Sequence, residues 1–158
     1  HNNNLEDEEY LVFLRKLWVP LTQGLLSKSR GLDYGCGPVK AMEMFAKAKA
    51  FNVSSYDPFF WPDKAVLGDL YDFIICSEVF EHLFSPGKEF ENLLAILKPG
   101  GRLGIMTGIY NDSMEFKTWP YRQDVTHVCF YQKETMEWLA KKHDKKLQFV
   151  NETVCIFT

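Results

Sequence analysis

Two glycines and two acids stand where two predicted strands end. Gly35 and Gly37 follow an apolar stretch that contains Asp33, and Asp57 follows the alternating stretch 51–56. Glycines at alternate positions let the backbone turn tightly and approach a ligand without a Cβ in between. A carboxylate that ends a second strand can accept hydrogen bonds from both hydroxyls of a ribose. This pattern predicts a loop that holds a cofactor.

The spacing differs from the fingerprint of dinucleotide-binding proteins. That fingerprint is Gly-x-Gly-x-x-Gly, and its third glycine allows the helix to pack closely on the strand. Here Gly37 is followed by Pro38, Val39 and Lys40, so the third glycine is absent. An acid two residues before the first glycine instead suits a cofactor that has a cationic amino-acid end and a ribose. We expect Asp33 to lie near the positive end, against an ammonium or through water.

Periodicity predicts the elements that position these residues. Strand 30–34, helix 38–50 and strand 51–56 form a βαβ unit, whose crossover should be right-handed and parallel. An amphipathic helix at 6–19 precedes it, is interrupted by Pro20 and is followed by a short helical turn at 21–26. We expect residues 1–29 to form an N-terminal helical cap, which packs on the domain or also covers the ligand site. The later elements are strand 72–76, helix 86–97, a turn at 98–101, strand 102–107, helix 132–142 and a closing hairpin of strands 147–150 and 153–157.

The connection between the second and third strands is too short for a complete helix and a further strand. Only 14 residues separate Asp57 from Asp72, and many of them are poor helix formers. One strand–helix unit, the third, is therefore reduced or missing. The predicted fold is a single α/β domain over 1–158, a three-layer doubly wound arrangement with a mostly parallel sheet and an antiparallel C-terminal strand.

Composition narrows the range of partners and environments. A chain of 158 residues with net charge −3 and scattered lysines and arginines offers no electrostatic surface for nucleic acid. The four cysteines show no Cys-x-x-Cys spacing, so we expect reduced thiols in a cytoplasmic protein. No apolar run approaches the ~18 residues of a membrane span, and no signal peptide is visible.

Four segments, in this order and at these spacings, resemble the class I S-adenosylmethionine-dependent methyltransferases. They are Leu32-Asp33-Tyr34-Gly35-Cys36-Gly37, Ser55-Tyr56-Asp57-Pro58, the stretch 71–82 with Ser77-Glu78-Val79-Phe80-Glu81-His82, and Leu94-x-x-Leu97-Lys98-Pro99-Gly100-Gly101. The resemblance covers roughly residue 31 to the C-terminus. It implies a seven-stranded sheet with an antiparallel last strand and S-adenosyl-L-methionine as the cofactor. It also implies direct displacement of the sulfonium methyl group by a nucleophile. The chain departs from the family pattern between Asp57 and Asp72.

The resemblance also implies which residues hold the cofactor. Asp69 follows Gly68 as in the family's Gly-Asp pair that reaches the adenine amino group, and Phe59 either stacks on adenine or belongs to the core. Ser77 and Glu78 should line the methionine side, and His82 either flanks it or packs on the next loop. The implied set is Asp33, Gly35, Cys36, Gly37, Asp57, Pro58, Phe59, Asp69, Ser77, Glu78 and His82.

Glu78-x-x-Glu81-His82 is also a possible metal-binding pattern. The three side chains would share one face of a helix. The zinc motif of metalloproteases, however, needs two histidines on that helix, and no further ligand follows at a plausible spacing. From the sequence we expect no metal site.

Asp124 and His127 lie three residues apart in an aromatic segment after the fifth predicted strand of the family pattern. A histidine whose tautomer is fixed by an acid can deprotonate a hydroxyl near neutral pH. A similar Asp-x-Thr-His stretch occurs in a subset of bacterial methyltransferases that this segment resembles. We name His127 as the candidate general base and Asp124 as its partner; alternatively, the two residues only pin a long loop.

Three functions remain open at this point. The favoured one is methyl transfer to a small-molecule acceptor by a monomer or homodimer. A nucleic-acid or protein methyltransferase is disfavoured by the acidic charge balance and by Ser77-Glu78-Val79-Phe80, where an Asn/Asp-Pro-Pro-Tyr-like motif would stand. A non-catalytic module that binds S-adenosylmethionine is kept open by the missing strand–helix unit.

Overall fold

The computed structural model describes residues 5–158. The first four residues of the predicted N-terminal cap lie outside that range. The helices are α1 (Glu8–Thr22), α2 (Ala41–Lys49), α3 (Pro86–Ala95), α4 (Pro120–Gln123) and α5 (Lys133–Lys142). The strands are β1 (Arg30–Tyr34), β2 (Asn52–Tyr56), β3 (Tyr71–Ser77), β4 (Leu97–Met106), β5 (Leu147–Phe149) and β6 (Val154–Phe157). No helix within residues 5–158 is long and apolar enough to cross a membrane.

The strands form one sheet in the order β2-β1-β3-β4-β6-β5. Strands β1 to β4 pair in parallel, and β6 pairs antiparallel with both β4 and β5. The predicted α/β class, the doubly wound parallel sheet and the antiparallel C-terminal strand are confirmed. The chain leaves β1 toward β2 on one side and returns to β3 on the other. This reversal is the switch point at which such sheets bind ligands.

The short connection between β2 and β3 confirms that the third unit is reduced. Within the described residues it contains only a 3₁₀ helix, Lys64–Gly68, and no strand. The described sheet therefore has six strands, one fewer than the family resemblance implies. The missing strand leaves β2 at the edge of the sheet.

Alternate residues of β3 point to opposite faces of the sheet and thereby create two apolar layers. Phe73 and Ile75 pack with α1 and α2, whereas Ile74 and Cys76 pack with α3 and α5. All four are fully buried, as expected for a central parallel strand covered on both sides. Helix α1 is thus one of the helices that cover a sheet face.

Several predicted boundaries are wrong. Helix α1 continues through Pro20, because Leu17 and Leu21 on either side of it are fully buried against the sheet and packing outweighs the lost backbone bond. Helix α2 begins at Ala41, so Pro38 belongs to the loop before it. The predicted turn at 98–101 is an irregularity inside β4, since Tyr71 pairs with Leu97 and Phe73 with Arg102.

Candidate active site

A cavity of about 1140 Å³ opens at the carboxyl ends of β1, β2 and β3. These ends meet at the switch point of the sheet, so the strands deliver their following residues to one place. Of the residues expected to act, the lining includes Asp33, Gly35, Cys36, Gly37, Asp57, Pro58, Phe59, Ser77, Glu78, His82, Asp124 and His127. Residues separated by more than ninety positions in the chain therefore share one cavity.

The glycine loop takes a backbone conformation that side chains would oppose. Gly35 has φ +76° and Gly37 has φ +64°, both in the left-handed region. A Cβ at position 35 would also overlap the side chain of Val79. The loop is tied to β2 because the amides of Gly35 and Cys36 both donate to the carbonyl oxygen of Tyr56, at 2.8 and 3.1 Å.

Asp33 and Cys36 are buried at the glycine loop, and burial raises the pKa of both side chains. Asp33 is 4% exposed. Burial, followed by the negative charges of Glu43 and Asp57, raises the pKa of Asp33 to about 7. Burial likewise raises the pKa of the Cys36 thiol to about 12, so this cysteine is a neutral lining group. A cation beside Asp33 would favour its charged form, whereas a neutral ligand would leave it about half protonated at pH 7.

Asp57 organises the loops on both sides of it. Its Oδ2 accepts a hydrogen bond from the amide of Gly37 at 3.0 Å, and its Oδ1 accepts from the amides of Phe59 and Phe60 at 2.9 and 3.1 Å. The carboxylate thus joins the glycine loop to the start of the β2–β3 connection. The Phe59 side chain is 87% exposed at the cavity wall, which excludes the alternative that it is a core residue.

Asp69 is not brought to the cavity, which corrects its expected position at the adenine edge. Its Oδ2 lies 2.7 Å from Nη2 of Arg30 in an exposed ion pair. Arg30 begins β1, whereas the glycine loop follows the other end of that strand. Because the shortened connection holds only a 3₁₀ helix before Asp69, the residue stays near the amino ends of the strands.

Ser77 and Glu78 complete the wall where β3 ends. Glu78 has φ +54°, an uncommon conformation for a residue with a side chain, and its amide donates to the carbonyl oxygen of Met106 at 2.8 Å. Burial and the neighbouring charge of Glu81 raise the pKa of Glu78 to about 8. The strand end therefore places at the cavity wall a carboxyl group whose neutral form is favoured.

Glu81 is an important residue that the sequence did not place in the site. Its side chain is fully buried and accepts hydrogen bonds from the hydroxyls of Thr107, at 2.9 Å, and Tyr121. Its backbone carbonyl accepts from the amides of Val128 and Cys129 at 2.8 and 3.0 Å. The only available signal was the spacing Glu-x-x-Glu-His, and nothing in the sequence marks Thr107 as a partner.

His127 lies in the long segment between β4 and α5, with its side chain 9% exposed. Its Nδ1 is 2.7 Å from the carbonyl oxygen of Tyr121, and its Nε2 is 3.8 Å from Oδ2 of Asp124. A carbonyl oxygen only accepts, so Nδ1 carries the proton and Nε2 keeps a lone pair. The expected pairing of Asp124 with His127 is therefore loose.

Asp124 also has a purely structural task. Its Oδ1 accepts hydrogen bonds from the amide and the hydroxyl of Thr126, at 2.9 and 2.6 Å, and these bonds hold the pKa of Asp124 below its usual value. The geometry accommodates both of the roles considered for this residue: it pins the loop, and it stands within ion-pair distance of His127.

A family model described as a methyltransferase domain matches residues 8–147. The match includes helix α1 as well as the glycine loop and the cavity wall. A search of curated proteins finds no match to the chain.

Solved structures with the same fold are numerous, and three of them illustrate how low the sequence identity is. The 1,6-didemethyltoxoflavin-N1-methyltransferase of Burkholderia thailandensis, bound to 1,6-didemethyltoxoflavin and S-adenosylhomocysteine, is 14% identical with a TM-score of 0.66, over 92% of this chain and 76% of that one. An S-adenosylmethionine-dependent methyltransferase from Archaeoglobus fulgidus is 19% identical with a TM-score of 0.67, over 91% and 73%. Phosphoethanolamine N-methyltransferase 2 of Haemonchus contortus, in complex with S-adenosyl-L-methionine, is 19% identical with a TM-score of 0.58; 87% of this chain aligns with only 37% of that one.

Proposed function

The chain belongs to the methyltransferase domain family, and from that premise we propose that it transfers the methyl group of S-adenosyl-L-methionine to a small-molecule acceptor. The observation that carries the proposal is the position of Asp33, the glycine loop and Asp57 around one cavity at the switch point of the sheet. The relatives crystallised with S-adenosylmethionine or its demethylated product support the same cofactor.

Each part of the cofactor has a matching group in the cavity. The ammonium of the methionine end would lie near Asp33, whose pKa is raised by burial and by the charges of Glu43 and Asp57. The ribose hydroxyls would reach Asp57, and the adenine would meet Pro58 and the exposed ring of Phe59. Ser77 and Glu78 would flank the methionine portion.

The chain's contribution to the transfer is to hold donor and acceptor in line. The sulfonium group is already an activated methyl donor, so the reaction breaks the sulfur–methyl bond as the acceptor's lone pair forms the new one. No covalent link to the protein is needed. Correct positioning converts an encounter of two molecules into a step within one complex, which is a large part of the rate enhancement.

The cavity mouth favours an acceptor with apolar or aromatic surface. Two large apolar side chains that line it, apart from the ring assigned to adenine, are strongly exposed: Phe84 at 89% and Val125 at 94%. An acceptor that covered these groups would gain binding free energy at about 25 cal/mol per Å² of apolar area removed from water. A small molecule with a ring or hydrocarbon portion and one nucleophilic atom fits this surface.

His127 is proposed as the base where the acceptor needs to lose a proton. The free lone pair on Nε2 is the feature that supports this role, and Asp124 would stabilise the imidazolium at 3.8 Å. Replacement of His127 by alanine should reduce turnover of a hydroxyl acceptor and leave cofactor binding intact. Unchanged turnover would remove it as the base.

Calorimetric titration with S-adenosyl-L-methionine tests the cofactor site. Asp57→Asn keeps one acceptor oxygen but removes the charge, so affinity should fall about 10- to 100-fold, as expected for hydrogen bonds to a charged group. Asp69→Asn is the matched control, because this exposed acid lies outside the cavity. A wild-type protein that shows no saturable binding would contradict the proposal, and binding without turnover of any acceptor would favour the non-catalytic module.

A further inference from the structure

Glu81, His82 and His127 bring three potential metal ligands together beside the cofactor cavity. One ligand atom of each residue lies within 4.8 Å of the other two. Two atoms that each bind one ion at about 2.1 Å are at most about 4.2 Å apart, so a shift of several tenths of an ångström would close the set around a cation. The two imidazole rings already meet edge to face, with their centroids 4.9 Å apart.

Both histidines are held so that the same ring nitrogen, Nε2, carries no proton. Nδ1 of His82 lies 3.0 Å from the carbonyl oxygen of Thr126, and Nδ1 of His127 lies 2.7 Å from that of Tyr121. Because each carbonyl must accept, both Nδ1 atoms carry protons and both Nε2 atoms keep their lone pairs. Histidine ligands of metal ions commonly have this arrangement, in which the second nitrogen donates to a carbonyl and thereby orients the ring.

Glu81 supplies a carboxyl group in a fully buried position. Its two oxygens are oriented by the hydroxyls of Thr107 and Tyr121. None of the ion pairs formed among residues 5–158 involves Glu81. A buried carboxylate is costly unless it is paired, and a cation beside the imidazoles would supply the counter-charge.

The backbone keeps the two ligand-bearing segments in register. The carbonyl oxygen of Glu81 accepts from the amides of Val128 and Cys129, which directly follow His127. The Thr126 carbonyl in turn orients His82. The turn that contains Glu81 and His82 and the loop that contains His127 therefore form one unit. Ligands on such a unit are organised before an ion arrives.

We propose that Glu81, His82 and His127 bind a divalent first-row transition-metal ion, with Glu78 as the adjacent carboxyl group. The sequence predicts no metal site because the short segment 78–82 contains only one histidine. The fold instead provides the second histidine from 45 residues further along the chain. This site does not rest on the proposed methyl transfer, because binding of the ion requires neither the cofactor nor an acceptor.

The mixed ligand set narrows the choice of ion. Imidazole suits zinc, iron, cobalt and nickel, and carboxylate suits manganese, whereas Mg²⁺ and Ca²⁺ prefer oxygen ligands alone. We therefore expect Mn²⁺, Fe²⁺, Co²⁺, Ni²⁺ or Zn²⁺. Glu78, His82 and His127 line the cavity, so an acceptor oxygen bound there would reach the ion, which as a Lewis acid would lower the pKa of that hydroxyl. With the ion bound, Nε2 of His127 is a ligand and is not available as a base.

The test is a metal titration of chelator-treated protein. Co²⁺ is added while its visible absorption is recorded, and Mn²⁺ and Zn²⁺ are titrated by calorimetry. The wild type should bind one ion per chain and unfold at a higher temperature when it is loaded. His82→Asn and His127→Asn keep a donor near the Nδ1 position but lack Nε2, so both should lose tight binding and the thermal shift. Glu81→Gln should do the same while it keeps the side-chain shape.

His143 provides the matched control, because its imidazole packs on the ring of Phe90 and it is not among the residues that line the cavity. His143→Asn should bind the ion as the wild type does. Circular dichroism and a cooperative thermal transition of the metal-free protein establish that each variant is folded. Absence of stoichiometric binding of all three ions by the wild type would overturn the site, as would unchanged affinity in both His82→Asn and His127→Asn. Either result would leave the cofactor titration unaffected.

Discussion

The two halves of the cavity are built in different ways: the glycine loop and Asp57 line the half proposed for the cofactor, and residues of the segment 120–128 line the half proposed for the acceptor. In the first half, hydrogen bonds from backbone amides hold the loops in place. The amide of Gly37 donates to Asp57, and the amides of Gly35 and Cys36 donate to the carbonyl oxygen of Tyr56 at the end of β2. In the second half, side chains from distant segments meet, as Glu81 does with Thr107. A site made from backbone turns follows from local sequence, whereas a site made from side-chain contacts depends on the complete fold.

The segment between β4 and α5 shows this dependence most clearly. It contains only the four-residue helix α4 and is held largely by ring contacts, among them Tyr110 with Trp119 and Phe116 with Phe130. Further along, the ring of Tyr121 packs on the imidazole of His127 with the centroids 4.2 Å apart. Aromatic contacts of this kind have no sequence period. Substitutions in the two halves should therefore separate cofactor binding from the chemistry of the acceptor side.

The largest effect is expected from Asp33→Asn in the cofactor half. The pKa of Asp33 is about 7 in the folded protein, raised from the ordinary value of 3.8 that we take for the unfolded chain. The folded state then holds one more proton than the unfolded state between these values, so stability falls as pH rises through that window. Asparagine removes the effect. The variant's free energy of unfolding should exceed that of the wild type by about 4 kcal/mol at most at pH 8, and by less at pH 5.

Denaturant unfolding at pH 5 and pH 8 measures this difference, and exposed Asp112→Asn serves as the control. The same asparagine at position 33 should weaken S-adenosylmethionine binding, because it removes the charge expected to face the ammonium. A difference from the wild type that is identical at both pH values would contradict the role of the buried acid. If Asp33→Asn gains stability and loses affinity for S-adenosylmethionine, Asp33 serves ligand binding at the expense of stability.

Gly35→Ala is expected to lower stability, the opposite direction from Asp33→Asn at pH 8. The left-handed conformation costs an L-residue roughly 1–2 kcal/mol, and the overlap with Val79 adds about 1–3 kcal/mol of strain. Gly87→Ala is the matched control, because a Cβ at position 87 in α3 meets nothing within 4 Å. Thermal unfolding should show a clear decrease for the first variant and little change or a slight increase for the second. Equal transition temperatures would show that the loop relaxes without cost.

The sequence was informative where local rules apply. The βαβ unit, the glycine loop and the compressed connection follow from strand alternation, from Asp33 and Asp57 at strand ends and from a simple residue count. It failed where tertiary contacts decide, as at Pro20, which packing keeps inside α1. Asp69 matched a family pair in sequence but lies at the wrong end of the strands, since the missing unit changes where the connection leads. Glu81 could not be connected with its partner hydroxyl because nothing local relates positions 26 residues apart.

Tyr121→Phe removes a single oxygen atom and tests whether the two halves of the cavity act independently. Its hydroxyl donates to Glu81 and lies 3.0 Å from that of Thr107, so its loss leaves the buried carboxylate less well oriented. If Glu81 is a metal ligand, affinity for Co²⁺ or Mn²⁺ should fall about 10- to 100-fold, as for other residues that orient ligands. Binding of S-adenosylmethionine should stay at the wild-type level, since the glycine loop and Asp57 make no use of this hydroxyl. Tyr110→Phe, which removes a donor to the Met114 carbonyl in the same segment, should leave both affinities unchanged. A parallel loss of metal and cofactor affinity in Tyr121→Phe would show instead that the two halves are coupled, because one hydroxyl of the acceptor side would then support the whole cavity.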